Sequence, residues 1–254
     1  MKNALVLLFI CVNIFQVAGQ QPVSLSQIGQ STGSINRDIL VELSGSRYLT
    51  GFRSRSISFS DLDTSWSIKG GSDVNILKQS PDGKTLWVTN ISSNGIDRSH
   101  SIISDNKGHI YVAGTLGGDL VYGNDMIKSF GAYDIFIAKL DTLGEIIWIK
   151  NLGGKENDDV YDIRLNLEGD VIAGGYFTTS LSYVKNGDTT TISSAPKVSN
   201  PVMVRIKENG DIKWVKHRTT EGNGFIYGVD ILGNNEIAVS GHFANSILNE
   251  NGLY

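Results

Sequence analysis

The sequence predicts an all-β chain, a β-propeller of four-stranded antiparallel blades, on three observations. The first is a repeated skeleton. Trp87, Trp148 and Trp214 each follow a turn glycine by four residues (Gly83, Gly144, Gly210) and an opening Asp73, Asp134 or Asn200 by fourteen. A second turn residue follows each tryptophan by 21 (Gly108, Gly169, Asn235), and six further on comes Gly114, Gly175 or Gly241. Only the stretch from that last glycine to the next opening residue varies, so the period is 61 and then 66. A fixed register with one elastic loop marks a repeat architecture. The second observation is the content of the unit, in which apolar residues alternate with period two. DIFIAKL and EIIWIKNL, joined by DTLG, read as one hairpin, and VYDIRLNL and DVIAGGYF, joined at Glu168-Gly169, read as another. The third is that no segment offers a capped run of ten or more residues with helical periodicity. Four strands per unit is the content of a propeller blade.

The order DIFIAKLDTLGEIIWIKNLGG, then DDVYDIRLNLEGDVIAGGYF, then a Ser-Leu-Ser-Tyr tail resembles the SBBP-type β-propeller repeat of secreted and cell-surface bacterial proteins. The resemblance covers about Ile35 to the C-terminus and is best in the middle unit. The last unit departs from it, with Gly224 where Asp97 and Asp158 stand and Asn235 in place of the turn glycine. It implies a propeller outside the cytoplasm and brings no agreed activity and no catalytic signature.

Taken in order, residues 1–19 read as a signal peptide. Lys2 gives a positive start, Ala4 to Phe15 is a mostly apolar run, and Val17-Ala18-Gly19 offers the small residues that precede cleavage before Gln20. The run is too short for a transmembrane anchor. Cys11, the only cysteine, lies inside it without the flanking small residues of a lipid-modified site, so the mature chain has no disulfide. Residues 20–34 are a polar leader, and the repeat domain runs from 35 to 254. It begins halfway through a unit, because ILVELSGSRYLTGF matches the second hairpin, with Gly45 six before Gly51. Seven hairpins, fourteen strands, then pair across the loops as three blades (about 38–91, 100–152 and 160–217) and a partial one at 225–254. Three and a half blades leave the ring incomplete. The expectation is that further C-terminal sequence, or self-association, closes it.

The chain carries 22 Lys and Arg against 26 Asp and Glu, a net charge of −4. No basic stripe is available to neutralise phosphates, which argues against nucleic acid as a partner. Arg47, Arg53 and Arg55 alternate along a strand and read as a solvated face. His100, His109, His217 and His242 share no metal-ligand spacing, so no zinc or catalytic metal is expected. No nucleophile motif appears, and Gly117-Gly118 and Gly174-Gly175 lack the following helix that a phosphate loop needs. The densest oxygen cluster is Asn157, Asp158, Asp159 and Asp162, a binding candidate for calcium or another ligand. With no DxDxDG spacing, it better suits an acidic loop in which Asp158 bonds its own backbone, as is expected of Asp97 one unit earlier. The tryptophans suit either packing between blades or an exposed carbohydrate platform, and their single register favours packing. The loop Ser182 to Asn200 is the longest irregular stretch, readable as a functional loop or as a decorated hairpin tip. These features predict a secreted, extracellular, cell-surface or periplasmic binding or scaffold module without assigned catalysis and without a cofactor. Its expected partner is a protein or a surface glycan. The alternative is an exported glycan hydrolase or lyase, which needs converging carboxylates.

Overall fold

Each alternating run becomes a strand, and the strands pair in chain order. The computed structural model describes residues 33–59, 62, 64–123 and 125–244, so the expected signal segment lies outside the described residues, as does the C-terminal stretch from 245. In the first sheet β1 (Ser34–Val41) pairs with β2 (Arg47–Arg53). A small hairpin, β3 (Ile57–Phe59) and β4 (Thr64–Trp66), intervenes before β5 (Asp73–Gln79) and β6 (Thr85–Ile91) complete the order β1-β2-β5-β6. The second sheet repeats this with β7 (Arg98–Ser104), β8 (His109–Leu116), the small hairpin β9 (Leu120–Tyr122) and β10 (Asp125–Ile127), then β11 (Asp134–Asp141) and β12 (Ile146–Leu152). The third consists of β13 (Asp159–Leu165), β14 (Val171–Thr178), the hairpin β15 (Ser180–Lys185) and β16 (Asp188–Ser193), then β17 (Ser199–Ile206) and β18 (Ile212–His217). A last hairpin joins β19 (Gly224–Ile231) to β20 (Ile237–Phe243). All pairs are antiparallel, and the sheets are blades of a β-propeller.

The blades end where the sequence placed them, at Ile91, Leu152 and His217. Their first strands begin one to four residues earlier than expected, at Ser34, Arg98, Asp159 and Gly224. Among the described residues the fourteen expected strands rise to 20 because the variable loop folds into a small hairpin in each of the three four-stranded blades. The stretch expected to be irregular after Ser182 is mostly β15 and β16, joined by Asn186 and Gly187 at φ +54° and +89°. Two consecutive residues at positive φ make the tight hairpin turn that Asn-Gly favours.

Turn chemistry holds the register throughout. Gly45, Gly83, Gly108, Gly144, Gly169 and Gly210 all have φ between +83° and +105°. Asn235 takes the same role in the last hairpin at φ +68°, since asparagine tolerates the left-handed region. The middle strands are buried on both faces. On β11, Ile135 and Ile137 pack toward the third sheet with Val160, Ala173 and Val204, while Phe136, Ala138 and Leu140 pack toward the first with Ile76 and Ile91. One alternating strand thus supplies both interblade cores.

The tryptophans join blade to blade at the outer edge. The Trp87 indole N–H donates to Thr142 O at 2.9 Å, and Trp148 donates to Glu208 O at 3.0 Å, each acceptor in the outer turn of the next blade. The ring lies over that turn's glycine: a Cβ on Gly144 would stand 2.7 Å from Trp87, and one on Gly210 would stand 3.2 Å from Trp148. All three rings are half-buried and pack against the interblade cores. The proposed solvated arginine face needs correction. Arg53 is fully buried, donates to Asn90 Oδ1 at 3.1 Å and lies over the Trp66 ring, because the blade closes over its strand; Arg47 is half-buried and Arg55 is exposed.

Candidate functional site on the inner wall

The blades fan out. The first strands touch one another in succession, β1 with β7, β7 with β13 and β13 with β19, whereas β6, β12 and β18 make no comparable contact among the described residues. The first strands therefore line the concave, inner side. Every one of them carries a bulge, between Asn36 and Asp38, Ser99 and Ser101, Val160 and Asp162, and Ile226 and Gly228. The repeat glycines explain why the strand approaches so closely there. A Cβ on Gly51, Gly114, Gly175 or Gly241 would stand 1.9 to 2.0 Å from the carbonyl oxygen of Ile35, Arg98, Asp159 or Phe225. The absence of a side chain lets the inner strand press in, and the extra residue of the bulge is Arg37, His100, Tyr161 or Tyr227.

These four residues and their neighbours form a continuous wall. The guanidinium carbons of Arg37 and Arg98 lie 5.5 and 5.4 Å from the centre of the Phe52 ring. The His100 ring meets Tyr161 at 5.5 Å, and Tyr161 meets Tyr227 at 5.3 Å. Tyr176 and Phe225 fill the rows behind, 4.9 Å apart and edge to face, with Phe225 parallel to Tyr227 at 5.9 Å. His100 Nε2 is 3.3 Å from Asp159 Oδ2, an ion-pair distance without the direction of a hydrogen bond, so the nitrogen has no hydrogen-bond partner. Burial pushes the Tyr176 hydroxyl up to about 12 and raises Tyr161 too, with Asp159 adding to both, so these phenols stay neutral at ordinary pH. The residues after the first three bulges, Asp38, Ser101 and Asp162, tie each blade to the next. Ile102 N–H donates to Asp38 Oδ2 (2.9 Å), Ser101 Oγ to Asp162 Oδ1 (3.3 Å) and Val229 N–H to Asp162 Oδ2 (2.8 Å). The wall is thereby held as one surface.

The acidic cluster proposed from the sequence is not one site. Asn157 is exposed at a blade junction. Asp158 is fully buried, accepting Gly154 N–H at 2.6 Å and Thr178 N–H at 2.8 Å. Asp159 faces His100 on the wall, and Asp162 holds Arg164 and Val229. Asn157 and Asp158 lie in the loop before β13, while Asp159 and Asp162 stand on either side of its bulge and meet different partners, which separates the groups that the sequence places side by side. Asp97 repeats the role of Asp158, accepting from Ser93 N and Oγ and from Gly117 N. In the last hairpin Gly224 occupies that place, and Asn200 Oδ1 accepts Thr220 N–H at 3.1 Å instead. Burial raises both Asp97 and Asp134, and pushes Asp158 up to about 8.

A different group of potential ligands does converge, Asp105, His109 and Glu208, with donor atoms within 4.8 Å of one another. Its atoms are already engaged: His109 Nδ1 is 2.7 Å from Asp105 Oδ2, and Lys139 Nζ is 3.2 Å from Glu208 Oε1. The ammonium supplies the positive charge that a cation would otherwise bring. The cluster joins residues from two blades, so no spacing in the sequence announces it. The wall was also missed from the sequence, although the four repeat glycines were the signal that could have located its bulges.

No protein-family model matches the chain. Over 206 residues it is 22% identical to an uncharacterized WD repeat-containing protein of Acanthamoeba polyphaga mimivirus. The match takes in 69% of this chain but only 15% of that protein, so the chain corresponds to a small part of the relative's length. WD repeats build four-stranded propeller blades, and the similarity agrees with the architecture described above.

Proposed function

We propose that this chain is a secreted or cell-surface propeller module that binds a surface ligand on its inner wall and performs no catalysis. One observation carries the reading: variable bulge residues, Arg37, His100, Tyr161 and Tyr227, are gathered on one surface by an invariant glycine frame. A constant scaffold with changeable side chains on one face is how a repeat protein separates folding from recognition. Two features support the secreted location, the signal-like segment at residues 1–19 and the resemblance to SBBP-type repeats. Nothing in the wall favours a hydrolase, because Asp159 stands against His100 rather than against a second carboxylate.

A glycan array run beside a hydrolysis screen tests the binding reading. Retention of a glycan without turnover, lost on Tyr227→Ala, is the expected result; turnover abolished by Asp159→Asn would replace it with an enzyme. N-terminal sequencing of protein recovered outside the cytoplasm should begin at or near Gln20, and an intact Met1 in the cytoplasm would remove the secreted location.

A further inference from the structure

We infer that the inner wall selects an acidic oligosaccharide, with Arg37 and Arg98 taking its carboxylate or sulfate groups and Tyr227 stacking on a sugar face. The inference rests on the binding reading above and adds the ligand class. Its first support is charge. Lys139, Arg164, Arg205 and Lys213 are all paired with carboxylates. Arg37 and Arg98 instead share the Phe52 ring, neither meets a carboxylate among the described residues, and Arg98 Nε is buried without a hydrogen-bond partner. In a chain of net charge −4, two uncompensated guanidiniums side by side form a local anion site.

The second support is the aromatic half of the wall. Tyr227 is 52% exposed and is backed by Tyr161 and Phe225, so one ring face is presented while its neighbours fix its tilt. Such a platform suits the apolar face of a sugar ring. The Tyr227 hydroxyl, carried on the exposed ring, can exchange hydrogen bonds with sugar hydroxyl groups. The third support is the backbone, which argues against a peptide. An extended peptide binds a sheet by adding a strand to a free edge, and bulges block that pairing. All four inner strands are bulged where the wall residues stand. Recognition therefore falls to side chains.

The test is calorimetric titration of the purified mature chain with oligogalacturonate, sulfated dextran, uncharged dextran of matched length and polyglutamate. Both acidic saccharides should bind, with affinity falling as salt rises, and uncharged dextran should bind at least about tenfold more weakly. Arg37→Gln and Arg98→Gln should each weaken acidic binding about tenfold and flatten the salt dependence. Tyr227→Ala should weaken every saccharide. Arg37 and Tyr227 are exposed, so those variants should fold, and circular dichroism verifies it. Uncharged dextran binding as tightly, polyglutamate binding as tightly, or indifference to the arginine substitutions overturns the acidic-saccharide inference. Neutral saccharide binding that needs Tyr227 but not Arg37 overturns it while leaving the binding reading in place. Absence of binding to all four probes removes both.

Discussion

At the scale of single residues, the repeated positions do different physical work. Trp148 is half-buried, with its N–H satisfied by Glu208 O and its ring seated on Gly210. Trp148→Ala should cost about 2 to 3 kcal/mol, less than the roughly 3 to 5 for a fully buried aromatic ring. The exposed Leu167→Ala should stay within about 0.5 kcal/mol, and denaturant melts that place both midpoints together would show that the indole is not a blade-to-blade contact. Asp158 gives a pH dependence. Its folded-state value of about 8 is set by burial, which outweighs the pull of the Gly154 and Thr178 N–H groups. That lies above the ordinary carboxylate value of about 3.9, so the folded chain holds the proton more tightly than the unfolded one. The stability it contributes is complete below about pH 4 and is lost as pH rises through about 8. Asp97 and Asp134 are raised in the same direction. The melting midpoint should accordingly fall between pH 5 and pH 8, and Asp158→Asn should reduce that slope. An unchanged slope in the variant would assign the dependence to other groups.

At the scale of the element, the glycine and the bulge are one device. Gly175→Ala would place a Cβ 2.0 Å from Asp159 O, and backbone cannot yield as a side chain can. The expected cost is about 1 to 3 kcal/mol, as for overpacking, with a changed near-ultraviolet signal as Tyr161 and Tyr176 shift. Gly169 is the contrast, since a Cβ there meets nothing within 4 Å and only its φ of +83° is unfavourable. Gly169→Ala should cost about 1 to 2 kcal/mol and leave the aromatic signal unchanged. Equal aromatic spectra for the two variants would mean that the bulge survives without its glycine. The sequence made the turn positions legible because a hairpin turn demands its own residue types, Gly or Asn at positive φ. The bulges were marked only through their partners, the repeat glycines, because a single extra residue leaves no mark of its own on an alternating pattern beyond reversing it.

At the scale of the whole molecule, stability comes from blade-on-blade burial. Ile102, Ile163 and Val229 occupy one position of the inner strands in three successive blades, and they are 3%, 0% and 3% exposed. Ile39 holds the same position in β1 and is 53% exposed, with Val41 and Leu43 exposed beside it. Among the described residues no blade lies against that side. A row of exposed aliphatic side chains on a sheet favours association. Light scattering of the chain should show a mass that rises with concentration, and Ile39→Lys should lower it. A monomer of constant mass for both proteins would show that this face is covered or harmless.

The sequence by itself determined the seven blade hairpins, their register and the pairing of hairpins across the variable loop, and it favoured packing between blades for the tryptophans. Each of these is local, or repeats at a fixed spacing, so residue type and interval carry it. Tertiary structure alone decided which side chains share a surface. Asn157, Asp158, Asp159 and Asp162 are neighbours in the chain, yet they separate to solvent, loop, wall and blade junction because the first two lie in the loop before β13 and the last two stand on either side of its bulge and meet different partners. Arg53 reads as solvated in the sequence and is buried because the rest of the blade closes over it. Arg37, His100, Tyr161 and Tyr227 share neither residue type nor interval, and only the fanning of the blades brings their four strands to one wall.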